Sequence, residues 1–179
     1  MDASAETSAG DVFEEGPVLD REFEESLGYW IFTASYAIES ALNEELAPLG
    51  ITHRQVQILG ALAAHGEASQ AEIAEMLRIE PSGVVRLLDR MERAGWIRRD
   101  ADPGDRRKKI VRPTEKVGPL WKQIKAHGMR ARERGLRGIT PEQVEATRDV
   151  LRQIRQNLMG DLSTPCPFAR KDTSDAHGT

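Results

Sequence analysis

The sequence predicts a mainly α-helical fold that carries one small β-hairpin. Apolar residues recur at helical spacing through most of the chain, and aromatic residues make up only 5% of it. Two short runs rich in Ile, Val and Arg flank a segment that contains Pro103 and Gly104, which is typical of a hairpin turn. The 179 residues, 39% of them hydrophobic, suffice for one domain with helical extensions.

Composition and motifs argue against several classes of function. No apolar run approaches the roughly 18 residues of a membrane span, and the N-terminus lacks the regions of a signal peptide, so we expect a cytoplasmic protein. The single cysteine, Cys166, cannot form an internal disulfide and has no assigned role, and the four histidines lack metal-ligand spacing. We therefore expect no cofactor or metal. No nucleophile lies beside a base, which predicts that the protein is not an enzyme.

The two ends of the chain differ in composition from the middle. Residues 1–17 are rich in Ala, Ser, Gly and acidic residues and predict a disordered acidic tail, and residues 161–179 predict a flexible one. Residues 18–50 carry the first long helix, from about Asp20 to Leu46, because apolar residues recur there every three or four positions. The Ala-Pro-Leu-Gly sequence that follows contains two residues that stop a helix.

Two shorter helices follow, and each has a recognisable start. Thr52 is expected to cap a helix that runs to about Ala64, where a His-Gly pair ends it. Ser69 and Glu72 have the spacing of a capping box, in which each side chain accepts a hydrogen bond from the backbone of the other residue. The helix that they start is predicted to end near Leu77.

A further helix, predicted from Pro81 to Arg93, has two distinct faces. Proline suits the first turn of a helix because its missing N–H would be unpaired there. The apolar residues share one face: Val84, Leu87, Leu88 and Met91. The small and basic residues share the other: Ser82, Gly83, Arg86 and Arg90. A helix with such an outer face fits the major groove of duplex DNA, where an Arg side chain can bind guanine through two hydrogen bonds.

The predicted hairpin has strands at Trp96–Arg99 and Lys109–Arg112, joined by a turn over Asp100–Lys108. Arg106–Lys109 are four consecutive basic residues, although the formal net charge of the chain is −4. The acidic excess comes from Met1–Ile51, which hold twelve acidic residues and one basic residue. A local basic surface is thus compatible with an acidic chain. Basic runs are often only a solvated face, so the neighbouring elements decide its meaning.

Two long helices complete the prediction. Thr114 is expected to cap a helix that runs to about Arg137. Thr140–Gln143 form a second capping box, with Pro141 at the first helical position, and start a helix that runs to about Leu158. A short helix, a turn, a second helix with a basic outer face and a basic hairpin together make a winged helix-turn-helix.

A resemblance to the MarR family of bacterial transcriptional regulators rests on one continuous stretch, RIEPSGVVRLLDRMERAGWIRRDADPGDRRKKIVRPTEK. The likeness extends over about Phe23–Leu158. It implies a winged helix-turn-helix DNA-binding domain at residues 51–113, an N-terminal dimerisation helix at 18–50 and C-terminal dimerisation helices at 114–160. Pro113 departs from the family pattern, which usually has Leu there, but Pro is tolerated at a strand end.

The resemblance implies a homodimeric regulator that binds a palindromic operator in duplex DNA and acts as a repressor released by a small-molecule effector. The recognition-helix residues are expected to be Ser82, Gly83, Val85, Arg86 and Arg90. The wing residues are expected to be Asp105, Arg106, Arg107 and Lys108, with Asp105 pairing with Arg107. Contacts to the DNA backbone are expected from Arg54, Ser69 and Gln70. The candidates for lining a pocket for a phenolic or other small effector are Tyr29, Tyr36 and His53.

Other interpretations stay open on the sequence alone. The chain could instead be a winged-helix module that binds protein rather than DNA, although the basic and polar outer faces disfavour this. Arg98 and Arg99 could be solvated strand residues. Trp30, Trp96 and Trp121 are expected in the core because tryptophans at helix or strand spacing usually pack there.

Overall fold

The computed structural model describes residues 21–105 and 108–159. Both predicted tails, 1–17 and 161–179, lie outside this part of the chain. Backbone contacts divide the described residues into two compact units, of which the first ends at Ile38 and the second begins at Glu39. The predicted mixture of helices with one small antiparallel sheet is confirmed. Within the described residues, no helix is both long and apolar enough to cross a membrane.

The first long helix is interrupted at Ser26, which corrects the prediction of one continuous helix from about Asp20. Helix α1 covers Arg21–Glu25, and helix α2 covers Leu27–Leu46. The Ser26 hydroxyl donates a hydrogen bond to the Phe23 carbonyl (2.7 Å) and accepts one from the Tyr29 N–H (3.2 Å). Ser26 thus caps a new helix, as Ser does at N-termini.

Helix α2 exposes several aromatic residues. Trp30 is 61% exposed, and Phe32 and Tyr36 are both 71% exposed. The prediction that Trp30 belongs to the core is therefore wrong. Trp96 and Trp121 are partly buried and pack against the core cluster, as expected.

The second unit continues from the end of α2 into two capped helices. A short 3₁₀ turn at Ala47–Leu49 ends at Gly50, whose φ of 66° lies in the left-handed region that Gly adopts readily. Helix α3, His53–His65, starts with a capping box between Thr52 and Gln55. Helix α4, Gln70–Leu77, starts with the predicted capping box between Ser69 and Glu72. The predicted starts and ends of both helices are confirmed.

The small sheet has three antiparallel strands in the order β1-β3-β2. Strand β2 covers Ile97–Ala101 and strand β3 covers Lys109–Pro113, with Ile97 paired to Pro113. Pro113 ends its strand, as the sequence predicts. Strand β1, Ala68–Ser69, is absent from the prediction because two residues carry no alternating pattern, and its partner strand is about forty residues away.

The helix between α4 and the sheet is α5, Pro81–Arg93, with the predicted bounds. Helix α6 covers Val117–Gly135 and helix α7 covers Pro141–Met159, which starts after the predicted capping box of Thr140 and Gln143. The prediction that Thr114 caps α6 is wrong. Its hydroxyl instead donates to the Gly95 carbonyl (2.6 Å), and Lys116 precedes the helix without a side-chain cap.

The core of the second unit is formed where α3, α4, α5 and the sheet meet. Its fully buried members include Ile58, Leu62, Ile73, Leu88 and Val111, each 0% exposed. Dense burial of this kind fixes the position of α5 on the scaffold.

Candidate nucleic-acid interface

Helix α5 presents one buried face and one exposed face. Val84, Leu88 and Met91 are 0% exposed and form the inner face. The predicted recognition residues lie on the other side: Ser82, Val85, Arg86 and Arg90 are exposed, and Gly83 is half-buried. A Cβ at Gly83 would meet no atom within 4 Å, so the chain leaves open space there.

The two arginines on the exposed face of α5 are not used by the fold. Among the described residues, neither Arg86 nor Arg90 makes a hydrogen bond or an ion pair through its side chain, whereas Arg93 donates from Nε to the Asp89 carbonyl (3.2 Å). Because a guanidinium carries five N–H donors and a fixed charge, both side chains can bind an external acceptor.

The predicted backbone-contact residues lie around the starts of α3 and α4. Arg54 pairs with Glu39 (3.6 Å) and donates to Gln57 (3.3 Å), and its side chain remains 45% exposed. The Ser69 hydroxyl accepts the Glu72 N–H (3.2 Å). Gln70, the first residue of α4, is half-buried. Arg54 and Ser69 therefore make contacts within the fold, and Gln70 is partly buried. Each of the three residues is still partly accessible to solvent.

The turn of the wing is organised by Asp102, a residue that sequence reasoning missed. Its Oδ1 accepts hydrogen bonds from the backbone N–H groups of Gly104 (2.7 Å) and Asp105 (3.3 Å). The Lys108 N–H donates to the Asp105 carbonyl (2.8 Å) and closes the loop. An Asp two residues before a turn Gly is the signal that could have identified it.

The structure gives only part of the predicted wing tip. Asp105 and Lys108 are both exposed on either side of the tip. Arg106 and Arg107 lie outside the described residues, and so does the predicted pairing of Asp105 with Arg107.

Two arginines attach the sheet to its surroundings. Arg99, on β2, contacts Glu92 and Asp89 of α5, and its side chain is only 19% exposed. The hydrogen bonds from Arg99 lower the pKa of the Glu92 carboxyl. Arg112, on β3, contacts Glu67 (2.6 Å) and Asp100 (3.0 Å). The interpretation of Arg99 as a solvated residue is thus wrong.

Arg98 behaves differently from its neighbour on β2. Its side chain is 66% exposed, and its Nε lies 3.3 Å from a carboxylate oxygen of Asp100. Alternation of side chains along a strand explains the contrast, because successive residues point to opposite faces of the sheet. Arg98 is therefore the largely solvated residue of the pair.

The helices and the wing that carry these residues match a known family. A model of the MarR family matches residues 49–108, which include α3, α4, α5, β2 and the turn of the wing. The HTH-type transcriptional regulator YybA of Bacillus subtilis (strain 168) is 26% identical over 125 residues, which cover 70% of this chain and 83% of YybA.

Two solved structures are similar over most of their length. A mutant MarR from E. coli, complexed with operator DNA, is 25% identical with a TM-score of 0.64, covering 72% of this chain and 92% of that one. CouR from Rhodococcus jostii RHA1, bound to p-coumaroyl-CoA, is 30% identical with a TM-score of 0.61, covering 73% of this chain and 92% of CouR. The chain belongs to the MarR family.

As a MarR-family protein, the chain is a transcriptional regulator with a winged helix-turn-helix. The family and the relatives described above are regulators rather than enzymes. No group of three or more His, Cys, Asp or Glu side chains in the described part of this chain could hold a metal ion.

A cavity of about 420 Å³ lies between α3 and α6 of this MarR-family chain. The residues that line it are mostly small or apolar: His53, Val56, Gln57, Gly60, Ala63, Ala64 and Trp121. His53 Nδ1 is buried and has no hydrogen-bond partner within the described residues. Burial lowers the pKa of the His53 imidazole, so its neutral form is favoured.

The other two predicted pocket residues belong to the first unit. Tyr29 is half-buried and its ring makes edge contacts with Phe23 and Trp30, at centroid distances of 5.8 and 5.5 Å. Tyr36 is 71% exposed. Of the three candidates, only His53 lines the cavity between α3 and α6.

Proposed function

We propose that this chain works as a homodimer that recognises an inverted repeat in duplex DNA and represses transcription until a small effector releases it. The observation that carries the proposal is the exposed face of α5, where the side chains of Arg86 and Arg90 have no partner among the described residues. Its DNA target implies that it acts in the cytoplasm. An E. coli MarR mutant of the same fold, complexed with operator DNA, supports the choice of ligand.

Recognition of bases is assigned to α5. In a helix-turn-helix the second helix enters the major groove and its N-terminal residues contact base edges. Ser82 and Gly83 permit close approach, Val85 offers an apolar contact for a thymine methyl group, and Arg86 can donate two hydrogen bonds to one guanine. Arg90 lies one turn further on and can bind base or phosphate.

Positioning on the DNA is assigned to the residues around α5. Arg106, Arg107 and Lys108 would contact the adjacent minor groove and its phosphates, because a narrow minor groove attracts basic side chains. Asp105 would hold Arg107. Contacts to phosphate would come from three residues near the starts of α3 and α4: Arg54, Ser69 and Gln70.

Dimerisation is assigned to residues 18–50 and 114–160, which flank the DNA-binding domain at 51–113. Within α2, Leu27 and Ile38 are 55% and 59% exposed, and within α7, Leu151 and Leu158 are 42% and 81% exposed. Such apolar surface usually marks a partner site. We expect a two-fold dimer that buries more than about 2,000 Å², with recognition helices one DNA turn, roughly 10 base pairs, apart.

The effector is assigned to the cavity lined by His53 and Trp121. Its volume of about 420 Å³ is typical of small-ligand pockets, and its lining of small and apolar residues beside His53 and Gln57 suits an aromatic compound that carries a hydroxyl or carbonyl group. CouR bound to p-coumaroyl-CoA supports an effector with an aromatic ring. Effector binding next to α3 would release DNA if the effector favours a dimer in which the spacing of the two α5 helices no longer equals that of the two half-sites.

The alternative, a module that binds protein without DNA, is disfavoured by the same residues. Such a module would present an apolar or acidic outer face on α5, whereas the exposed residues of α5 include Ser82, Arg86 and Arg90.

The test is a footprint on the intergenic DNA beside the protein's own gene. We expect protection of both halves of an inverted repeat, weakened by Arg86→Ala. Arg132→Ala removes another exposed arginine, on α6, and should leave the footprint unchanged when sedimentation verifies that this variant is still dimeric. Protection of a single half-site contradicts the dimeric mode. No protection of any duplex at low salt contradicts DNA recognition itself.

A further inference from the structure

The recognition helix carries two carboxylates in addition to its arginines. Asp89 and Glu92 lie three positions apart on α5, so their side chains are neighbours on the helix surface. Their side chains are 45% and 38% exposed. Duplex DNA is a dense polyanion, so two uncompensated negative charges on the helix that enters its groove would oppose binding.

One guanidinium pairs with both carboxylates and offsets one of their two negative charges. Arg99 Nε and Nη2 donate to Glu92 Oε2 at 3.0 and 2.6 Å, and Nη2 also lies 2.6 Å from Asp89 Oδ1. The backbone N–H of Arg99 donates to the other oxygen of Glu92, Oε1, at 3.1 Å. Glu92 therefore binds both the backbone and the side chain of a residue on the first strand of the wing.

The position of Arg99 separates it from the arginines assigned to DNA. Its side chain is 19% exposed, whereas Arg86 and Arg90 are exposed. The donors of Arg99 are directed at α5, so its contribution to DNA binding would pass through Asp89 and Glu92.

We propose that Arg99 is a positioning residue that offsets one of the two negative charges of Asp89 and Glu92 on the recognition helix and, by the same bonds, holds the first wing strand against that helix. This inference rests on the proposed DNA-binding function. The three arginines and two carboxylates of α5 carry a net charge of +1, which Arg99 raises to +2.

The first test separates charge from packing at this position. Arg99→Gln keeps a long polar side chain that can donate to Glu92 but removes the positive charge, whereas Arg99→Lys keeps the charge. We expect Arg99→Gln to weaken affinity for the footprinted duplex by about tenfold at low salt and Arg99→Lys to weaken it by less than about threefold. The difference between Arg99→Gln and the parent should shrink as salt rises, because screening weakens repulsion between charges.

The second test is rescue. The triple variant Asp89→Asn, Glu92→Gln, Arg99→Gln has no carboxylate left to neutralise, and we expect it to regain most of the lost affinity. Rescue by removal of the two acids is not expected if Arg99 acts only through packing of the wing. Melting temperatures of all variants verify that the compared proteins are folded.

A matched control is available on the neighbouring strand. Arg112 also contacts two carboxylates, Glu67 and Asp100, but neither lies on α5. Arg112→Gln is expected to change affinity by less than about threefold, since the recognition helix keeps its charge balance.

The outcomes distinguish this inference from the function on which it rests. If the parent binds no duplex, the proposed function fails. If the parent binds and Arg99→Gln binds equally well, Arg99 has no such role. Weaker binding without rescue in the triple variant, or an equal effect of Arg112→Gln, also overturns the inference, because either result would indicate general loosening of the wing.

Discussion

Helices α5 and α7 are both amphipathic, but only α5 buries its apolar face within one chain. Val84, Leu88 and Met91 of α5 are fully buried, whereas none of the residues of α7 is buried and Leu158 is 81% exposed. The remaining surfaces are opposite in character. Helix α5 leaves arginines exposed, which we propose bind DNA, and α7 leaves aliphatic side chains exposed, which we propose pack against a second copy. An amphipathic pattern thus predicts a helix, and packing decides which of its faces serves a partner.

The largest effect is expected from charges placed on the apolar face of α7. Replacing both Leu151 and Ile154 by Asp should abolish the dimer and with it operator binding, because buried unpaired carboxylates are very costly at an interface. Helix content by circular dichroism should stay near that of the parent. If the double variant remains dimeric in sedimentation, α7 does not form the interface and the comparison with α5 fails.

A core substitution in α5 should act on the single chain instead. Leu88→Ala removes a fully buried side chain and is expected to lower the free energy of unfolding by about 2 to 5 kcal/mol. The matched change on α7, Leu158→Ala, should alter urea unfolding only to an extent that depends on protein concentration, since its contacts would come from a second copy. If both variants lower the free energy of unfolding equally and independently of protein concentration, both helices bury their apolar faces within one chain and the comparison fails.

Changes on the exposed face of α5 should affect DNA binding and leave stability intact. Arg86→Ala is expected to cost about 1 to 3 kcal/mol of binding free energy and to relax base choice at one position of each half-site.

Lys108→Ala in the wing should mainly lower the slope of log affinity against log salt, by about one unit for each phosphate that a subunit no longer binds. Fluorescence anisotropy over a salt series measures both, and identical behaviour of the two variants would contradict the division between helix and wing.

The smallest effect is expected at the turn that leads into α5. Arg78 ends α4 with a φ of 50°, the only positive φ at a described residue other than Gly. Arg78→Gly should raise the free energy of unfolding by up to about 1 kcal/mol, because Gly adopts this conformation with less strain. A clear decrease in the urea midpoint would mean that the Arg78 side chain contributes more than its backbone strain removes.

The helix starts that the sequence predicts correctly depend on contacts between residues close together in the chain. The starts of α3, α4 and α7 depend on residues three positions apart, such as Ser69 with Glu72, and these bonds form wherever the helix does. The same reasoning fails at Thr114, whose hydroxyl binds the Gly95 carbonyl nineteen residues away. It also misses Ser26, where a single hydroxyl divides one apolar pattern into two helices.

The site shows the same division between local and distant contacts. The exposed face of α5 could be predicted from spacing because the helix period alone separates Arg86 from Leu88. The partners of Arg99 could not, since Asp89 and Glu92 reach it only after the chain turns from α5 into β2. Trp30 is exposed because little of the described chain packs against it. The spacing of apolar residues in the sequence does not indicate which of them lack such a contact.

The most direct test of the proposed dimeric recognition of DNA is the mass of the protein by sedimentation equilibrium, alone and with a duplex that carries the footprinted inverted repeat. We expect two chains at micromolar concentration and two chains on each duplex, because in the proposed dimer a second copy covers the apolar face of α7 and each copy supplies one recognition helix. A stable single chain, or one chain on each duplex, would contradict it.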